Sequence, residues 1–317
     1  MKIFKINILL LTFFIMSGNL RAQDKKGVLV MSHGGSPTWE NAILNAVAPI
    51  KNKYVTEIAF GMADPSTLQE AINKLEYQGV TTIIVVPLFI SSHSPILRQA
   101  EFLFGFRQEL ADEPIIMNHG ESSSNGSHDQ HNTSSNSYTG EEKTVESLDP
   151  IVFKSKIILT NCLDADSLVA ATLFNNVKKF SKNPDTETVL LVAHGPNDDF
   201  DNEKWLVNLD SLTNQMMKFQ KLETGKEFKA IHFTTIRDDA NKKVYNEAKL
   251  KARKIIETAD VEGECIVIPL VLSTGGIEKG IQKRLDGLNY TWVDLALLPS
   301  NNITKFIEQA ILKTAIN

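Results

Sequence analysis

The chain has 317 residues, of which 42% are hydrophobic and 22% charged. These are the proportions of a water-soluble globular protein long enough for two ordinary domains. A formal net charge of −5 argues against a general nucleic-acid binder, which presents a basic face. A local basic patch for an acidic substrate remains compatible with it.

The first 22 residues read as a secretory signal peptide. Lys2 and Lys5 supply a positive start, residues 6–16 are apolar apart from Asn7 and Thr12, and Ala22 is the expected last residue removed. A membrane anchor would want ~20 apolar residues, and this run is shorter. The expected product is an exported protein of a bacterium, periplasmic or secreted, with no stable membrane anchor.

Strand and helix signals then alternate. Residues 27–31 are a continuous apolar run, and 39–47 follow as an amphipathic helix with Pro37 near its start. A short strand at 56–60 leads into Asp64-Pro65-Ser66, a helix-start signal, and a helix over 67–75 with apolar residues at 68, 71, 72 and 75. Gly79 ends it. A strand is expected over 82–90, a helix over 95–110 and a short strand over 114–117. Alternating elements of this kind imply βαβ units and a parallel sheet.

Composition breaks at residues 118–147, which are dense in Ser, Asn, Gly, Thr and His and nearly free of apolar side chains. Such a stretch cannot bury a core and is expected as a mobile loop. It holds His119, His128 and His131, either a metal-gathering tract or histidines that happen to sit in a solvated insertion. Order resumes with a strand at 156–159. Asp164-Ala165-Asp166 opens a helix with Leu168, Val169, Ala171, Leu173, Phe174 and Val177 on its apolar face, and residues 181–184 break it.

From there the pattern repeats. Residues 188–195 repeat 28–34, 230–234 repeat 57–60, and 265–272 repeat 84–90. A strand over 292–297 and a helix over 303–311 repeat the close of the first half. The expected organisation is a signal peptide (1–22), a first unit (23–183, with the insertion at 118–147) and a second unit (184–317). The repeats differ in one place. Six residues beyond Pro87 lies His93, whereas six beyond Pro269 lies Gly275, inside Ser273-Thr274-Gly275-Gly276.

Cys162 and Cys265 are the only cysteines. Export permits a disulfide, but two distant thiols flanked by apolar segments read better as independent buried residues. Neither belongs to a CxxC pair, so a zinc-thiolate site has no support.

His33 and His93 follow two of the continuous apolar runs. Ligands of open α/β sheets gather at such strand ends, so two imidazoles there can share a metal ion, accept protons, or serve as structural histidines. Gly34-Gly35-Ser36 lets backbone amides approach a ligand closely. Ser91 to Ser94 leave room for a large planar guest. Asp64 is either the N-cap of the helix that follows or a carboxylate of the same edge. His194 repeats His33 without a partner at 275, and a structural role or a substrate contact both suit it. Arg98, Arg107 and Lys279 are candidates for facing an anion.

Three segments in this order, Val30-Met31-Ser32-His33-Gly34, Ala59-Phe60-Gly61-Met62-Ala63-Asp64-Pro65, and Val86-Pro87-Leu88-Phe89-Ile90-Ser91-Ser92-His93-Ser94, resemble the CbiX/SirB group of class II chelatases, in its long, internally duplicated form. The resemblance implies two tandem α/β units, each a small parallel sheet flanked by helices, with the active cleft between them. It implies ATP-independent insertion of Co²⁺ or Fe²⁺, with Ni²⁺ a further candidate, into a sirohydrochlorin-like tetrapyrrole. His33 and His93 would be metal ligands and proton acceptors, and Gly34, Ser92, Asp64 and His194 substrate contacts. The ion would be a substrate, no nucleotide would be needed, and a monomer would suffice. Export sits uneasily with a cytoplasmic pathway, so an exported metal- or tetrapyrrole-binding protein without turnover is the alternative. A hydrolase, suggested by His33-Gly34-Gly35, lacks a G-x-S-x-G nucleophile elbow.

Overall fold

The computed structural model describes residues 24–110, 112, 114–115 and 148–314. The signal peptide expected at 1–22 and the loop expected at 118–147, with its three histidines, lie outside the described residues. The first sheet comprises β1 (Lys26–Ser32), β2 (Val55–Phe60), β3 (Thr82–Pro87) and β4 (Lys156–Leu159), in the order β2-β1-β3-β4. The second comprises β5 (Glu187–Ala193), β6 (Ala230–Thr235), β7 (Glu264–Leu270) and β8 (Thr291–Trp292), in the equivalent order β6-β5-β7-β8. Every pairing is parallel.

Helices α1 (Pro37–Lys51), α2 (Pro65–Tyr77), α3 (Pro95–Leu103) and α4 (Ser167–Lys178) serve the first sheet. Helices α5 (Asp199–Thr224), α6 (Lys242–Glu262), α7 (Ile277–Arg284) and α8 (Asn301–Lys313) serve the second. The period-2 alternation of each strand divides its side chains between two cores. Val28, Val30, Ile84 and Val86 face one core, and Val189, Leu191, Ile266 and Ile268 of the second sheet face the same one. Between the sheets lie α1, α4, α5 and α8, which supply Ile43, Val47, Leu173, Leu209, Leu212, Ile303 and Ile307 to that shared core. The alternate residues Leu29, Met31, Ile83 and Val85 turn outward onto α2 and α3. Leu190, Val192 and Val267 do the same onto α6 and α7.

The middle layer has an internal two-fold logic. Helix α1 packs on α8, and α4 packs on α5; α1 and α5 each follow the first strand of their unit, while α4 and α8 each close one. Thr304 donates to the Ala46 carbonyl at 2.8 Å, and Asn176 donates to the Ala296 carbonyl at 2.9 Å. The two units therefore bury a common interior. No helix among the described residues is long and apolar enough to cross a membrane.

Several expected elements differ in extent. Helix α3 ends at Leu103 rather than near 110, because Gly105 takes φ +75° immediately past its cap, a left-handed stop. The strand expected over 82–90 ends at Pro87, and that expected over 292–297 keeps only residues 291–292 in the ladder. Val293, Leu297 and Leu298 still bond the neighbouring segment through their amides and are buried. Residues 114–115 are not strand, and 116–117 fall outside the described residues. Helices α5, α6 and α7 had no assignment from periodicity. Helix α5 carries only a narrow apolar stripe, Trp205, Leu209, Leu212 and Met216, amid many polar residues. Both cysteines are free and buried, in different cores.

Candidate functional site

The first sheet delivers His33 and His93 to its carboxyl edge on adjacent strands. Strands β1 and β3 pair in parallel up to Met31 opposite Pro87, and the Leu88 amide donates to the Met31 carbonyl at 2.8 Å. The exit of β2 is tied to the same place: the Gly61 amide donates to the carbonyls of Ser32 and His33, at 3.2 and 3.0 Å. Gly34 takes φ +85°, and a Cβ there would stand 3.4 Å from the Gly61 nitrogen. The left-handed turn therefore favours glycine there, while an added Cβ would make only ordinary contact.

His33 is exposed, with Nδ1 3.1 Å from the Gly34 carbonyl oxygen. Its ring centroid lies 6.3 Å from that of Trp39, at a 60° tilt. His93 is half-buried. Its amide donates to Ser91 Oγ at 3.1 Å, and Ser94 caps α3 through the Leu97 amide. Ser92 is firmly held: its amide and hydroxyl donate to the two oxygens of Asp164 (2.7 and 2.6 Å), and its Oγ accepts from the Cys162 amide at 3.0 Å.

Asp64 is 5% exposed. Its Oδ1 accepts the amides of Ser66 and Thr67, at 2.9 and 3.1 Å, and the Ser66 hydroxyl. It caps α2 in this structure, the first of the two roles expected for it.

In the second unit, His194 directly follows β5. Its Nε2 lies 3.4 Å from Asp239 Oδ2, and its carbonyl accepts from the Arg237 amide at 2.7 Å. The Arg237 guanidinium donates to the Pro196 carbonyl at 3.0 Å and pairs with Asp199 at 2.7 Å, so it fills the space beside that strand end. Gly275 stands across from the first unit, and a Cβ built on it would lie 3.9 Å from Trp39 Cδ1. The indole of Trp39, rooted on α1, thus reaches from the His33 turn to the second unit. Sequence reasoning saw Trp39 only as a helix residue; an aromatic six positions past a strand-end histidine was the available signal.

Backbone strain marks the same edges. Among the described residues, the non-glycine positions with positive φ are Met62 (54°), Ala63 (63°), Asp164 (43°) and Arg237 (49°). They follow β2, β4 and β6, at the carboxyl ends where such sheets bind ligands, and strain of this kind concentrates at functional sites.

Two of the expected anion-facing side chains are occupied elsewhere. Arg98 is bound to Asp112 and Asp201, and these hydrogen bonds raise its pKa above the ordinary guanidinium value. Arg107 pairs with Glu101 at 3.0 Å. Lys279 is exposed on α7. No cluster of three or more His, Cys, Asp or Glu side chains spaced to hold a metal occurs among the described residues.

Residues 27–94 match the CbiX family model. That match covers about a fifth of the chain. The matched span runs from the start of β1 to the N-cap of α3 and encloses His33, Asp64 and His93. Over 79 residues the chain is 33% identical to the sirohydrochlorin cobaltochelatase of Methanothermobacter thermautotrophicus, covering 24% of this chain and 55% of that one. The chain therefore spans about half the length of this curated relative. The whole two-unit architecture is similar to SirB from Bacillus subtilis with Fe³⁺, at a TM-score of 0.59 and 15% identity over 92% of this chain and 96% of that one. It is also similar to CbiX, the terminal enzyme for biosynthesis of siroheme in denitrifying bacteria, at a TM-score of 0.51 and 12% identity over 91% and 98%. At these identities the likeness is one of fold. The span that matches the CbiX model is thus followed, in the same chain, by a second unit of the same fold.

Proposed function

We propose that this protein inserts a divalent metal ion into a sirohydrochlorin-like tetrapyrrole, with one working site at the carboxyl edge of the first sheet. The observation that carries this reading is the delivery of His33 and His93 to one sheet edge by two paired strands, inside the span that matches the CbiX model. Two neutral imidazoles give Co²⁺ or Fe²⁺ a partial coordination shell and leave positions open for pyrrole nitrogens. As the ion passes from the imidazoles into the ring, each freed imidazole nitrogen can take one of the two pyrrole protons. The turn at Gly34, with φ +85°, offers its amide to a substrate carboxylate, while the Gly35 amide donates to Glu40 Oε1 at 3.3 Å. Trp39 and Gly275 wall the opposite side. His194, tied to Asp239, is assigned an accessory contact.

The natural division falls near residue 183, between α4 and β5, and the second unit acts as a partner that completes the cleft. One chain then does what two half-length chains would otherwise assemble to do, and we assign it as a monomer. We infer from the basic start and apolar run of residues 1–22 that they are a signal peptide, and that the protein acts outside the cytoplasm. Mass spectrometry of the protein recovered from its native host is expected to find Gln23 at the N-terminus. An intact Met1 would remove the export assignment without touching the chelatase reading.

The test is metal insertion followed by absorbance, using purified protein, sirohydrochlorin and either Co²⁺ or Fe²⁺. Acceleration over the spontaneous reaction supports the proposal. Tight binding of metal or ring with no acceleration would replace it with a binding protein.

A further inference from the structure

Three residues on one face of α5, at 201, 205 and 208, recur at the helical i, i+4, i+7 spacing. Each reaches the first-unit segments that surround His93. Asp201, with its side chain 4% exposed, receives a fork of two hydrogen bonds from Arg98 of α3, at 3.0 and 2.8 Å. Trp205, itself buried, donates its indole N–H to the His93 carbonyl at 2.7 Å. Asn208 donates to Asp164 Oδ1 at 3.2 Å, and that carboxylate holds both the amide and the hydroxyl of Ser92. The residue before His93, the backbone of His93 and the helix after it are therefore all gripped from the second unit, directly or through Asp164.

We propose that Trp205 is a positioning residue for His93, and that α5 of the second unit is the brace that aims this imidazole into the cleft. The inference rests on the assignment of His93 to the site. Its physical basis is local. The peptide plane after His93 is fixed by the part-buried 2.7 Å hydrogen bond from Trp205, and the plane before it by the Ser91 and Ser92 bonds. The Cα–Cβ direction is then set, and a misplacement of about 1 Å at a reacting group can cost on the order of 100-fold in rate. The repeat sets what each such brace can aim. The second unit has Gly275 where the first has His93, so it has no imidazole of its own to aim there.

The test uses the full chain carrying isotope-labelled histidine, with the His93 ring resonances assigned by their loss in His93→Ala. Trp205→Phe keeps the aromatic ring and removes the donor. It is expected to broaden or split the His93 ring signals and to lower kcat for Co²⁺ insertion about ten-fold, with the tetrapyrrole KM within about two-fold of wild type. Asn208→Ala, a smaller change that loosens Asp164, is expected to disturb the same signals less. Gln215→Ala removes another bond from the same helix, to the Ala165 carbonyl at 3.0 Å, and should leave the His93 signals alone. Unchanged His93 signals in Trp205→Phe would overturn the inference, as would the same disturbance from Gln215→Ala. Should wild type fail to insert Co²⁺ while Trp205→Phe still disturbs the His93 ring, the brace stands and the chelatase reading falls.

Discussion

Trp205 donates a hydrogen bond to the carbonyl of His93 across the boundary between the units, and its near mirror image is the contact of Trp39 with Gly275. Positions 93 and 275 are equivalent in the repeat, each six residues past the proline of the third strand of its unit. Each unit thus sends a tryptophan, from the helix after its first strand, to the loop after the third strand of the other. One of those loops carries an imidazole and the other a glycine. The asymmetry of the site is therefore written onto a nearly symmetric frame.

That relationship predicts the behaviour of Gly275→His. The new Cβ would meet Trp39 at 3.9 Å, an ordinary contact, and no left-handed backbone is required at 275. The variant is expected to fold, with a loss below about 1 kcal/mol and a Tm shift of a few degrees. Its added bulk beside Trp39 should change the tryptophan emission and raise the tetrapyrrole KM. A variant that unfolds, or one with unchanged emission, would contradict the placement of Trp39.

Removing the imidazoles separates the units functionally. His33→Ala and His93→Ala are each expected to lower the insertion rate by at least about 100-fold, the scale of a lost proton acceptor. His194→Ala should cost only a few-fold, since its ring faces Asp239 beside the space that Arg237 fills. Stopped-flow absorbance with saturating Co²⁺ measures all three. Equal losses from His33→Ala and His194→Ala would mean that the second edge takes part in the chemistry.

Backbone geometry gives a stability prediction at equivalent turns. An alanine Cβ at Gly195 would stand 2.5 Å from Thr235 Cβ, with φ at +76°; at Gly34 the nearest atom is 3.4 Å away, with φ +85°. Gly34→Ala should lose about 1–2 kcal/mol, the cost of the left-handed backbone alone. Gly195→Ala adds overpacking and should lose roughly 1–3 kcal/mol more. Urea midpoints at constant m-value report the difference.

Asp64 caps α2 and is buried, so Asp64→Ala is expected to cost about 1–2 kcal/mol. Asp64→Ser should restore part of this, because a serine Oγ can still accept from the amides of 66 and 67. An Asp64→Ala protein of wild-type stability with no activity would instead assign the carboxylate to the substrate.

The two thiols should be silent. Burial pushes the Cys265 thiol up to about 12 and raises Cys162 further, with Asp164 adding to the shift at Cys162. Only the thiolate reacts, so a disulfide-exchange reagent at pH 8 is expected to find no accessible thiol in the native chain and two after denaturation. Because both pKa values are raised in the folded state, ionisation favours the unfolded chain. Stability should therefore fall as pH rises above the ordinary thiol range. Fast labelling of native protein would contradict the burial.

The strand cores, the duplication and the two strand-end histidines were all legible in the linear pattern. A strand buried on both faces must be apolar throughout, and runs such as 28–31 and 83–86 announce themselves without reference to anything else. Helix α5 did not. Its buried stripe is narrow, and its other contacts are polar bonds to Arg98, His93 and Asp164 that exist only once the units pack. The extent of α3 was misjudged because Gly105 acts through its backbone angle and carries no periodic signal.

From the sequence alone came the parallel α/β class, the repeat, the placing of His33 and His93 at strand ends and the loss of the second histidine at 275. These follow from local rules: the period of side-chain burial and the spacing of turn residues. Only the tertiary structure decided that Arg98 is bound to Asp112 and Asp201, and that Trp39 and Trp205 cross between units. Those outcomes depend on which surfaces meet when two sheets share one layer of helices. Residues more than a hundred positions apart, such as His93 and Trp205, become neighbours only through that packing.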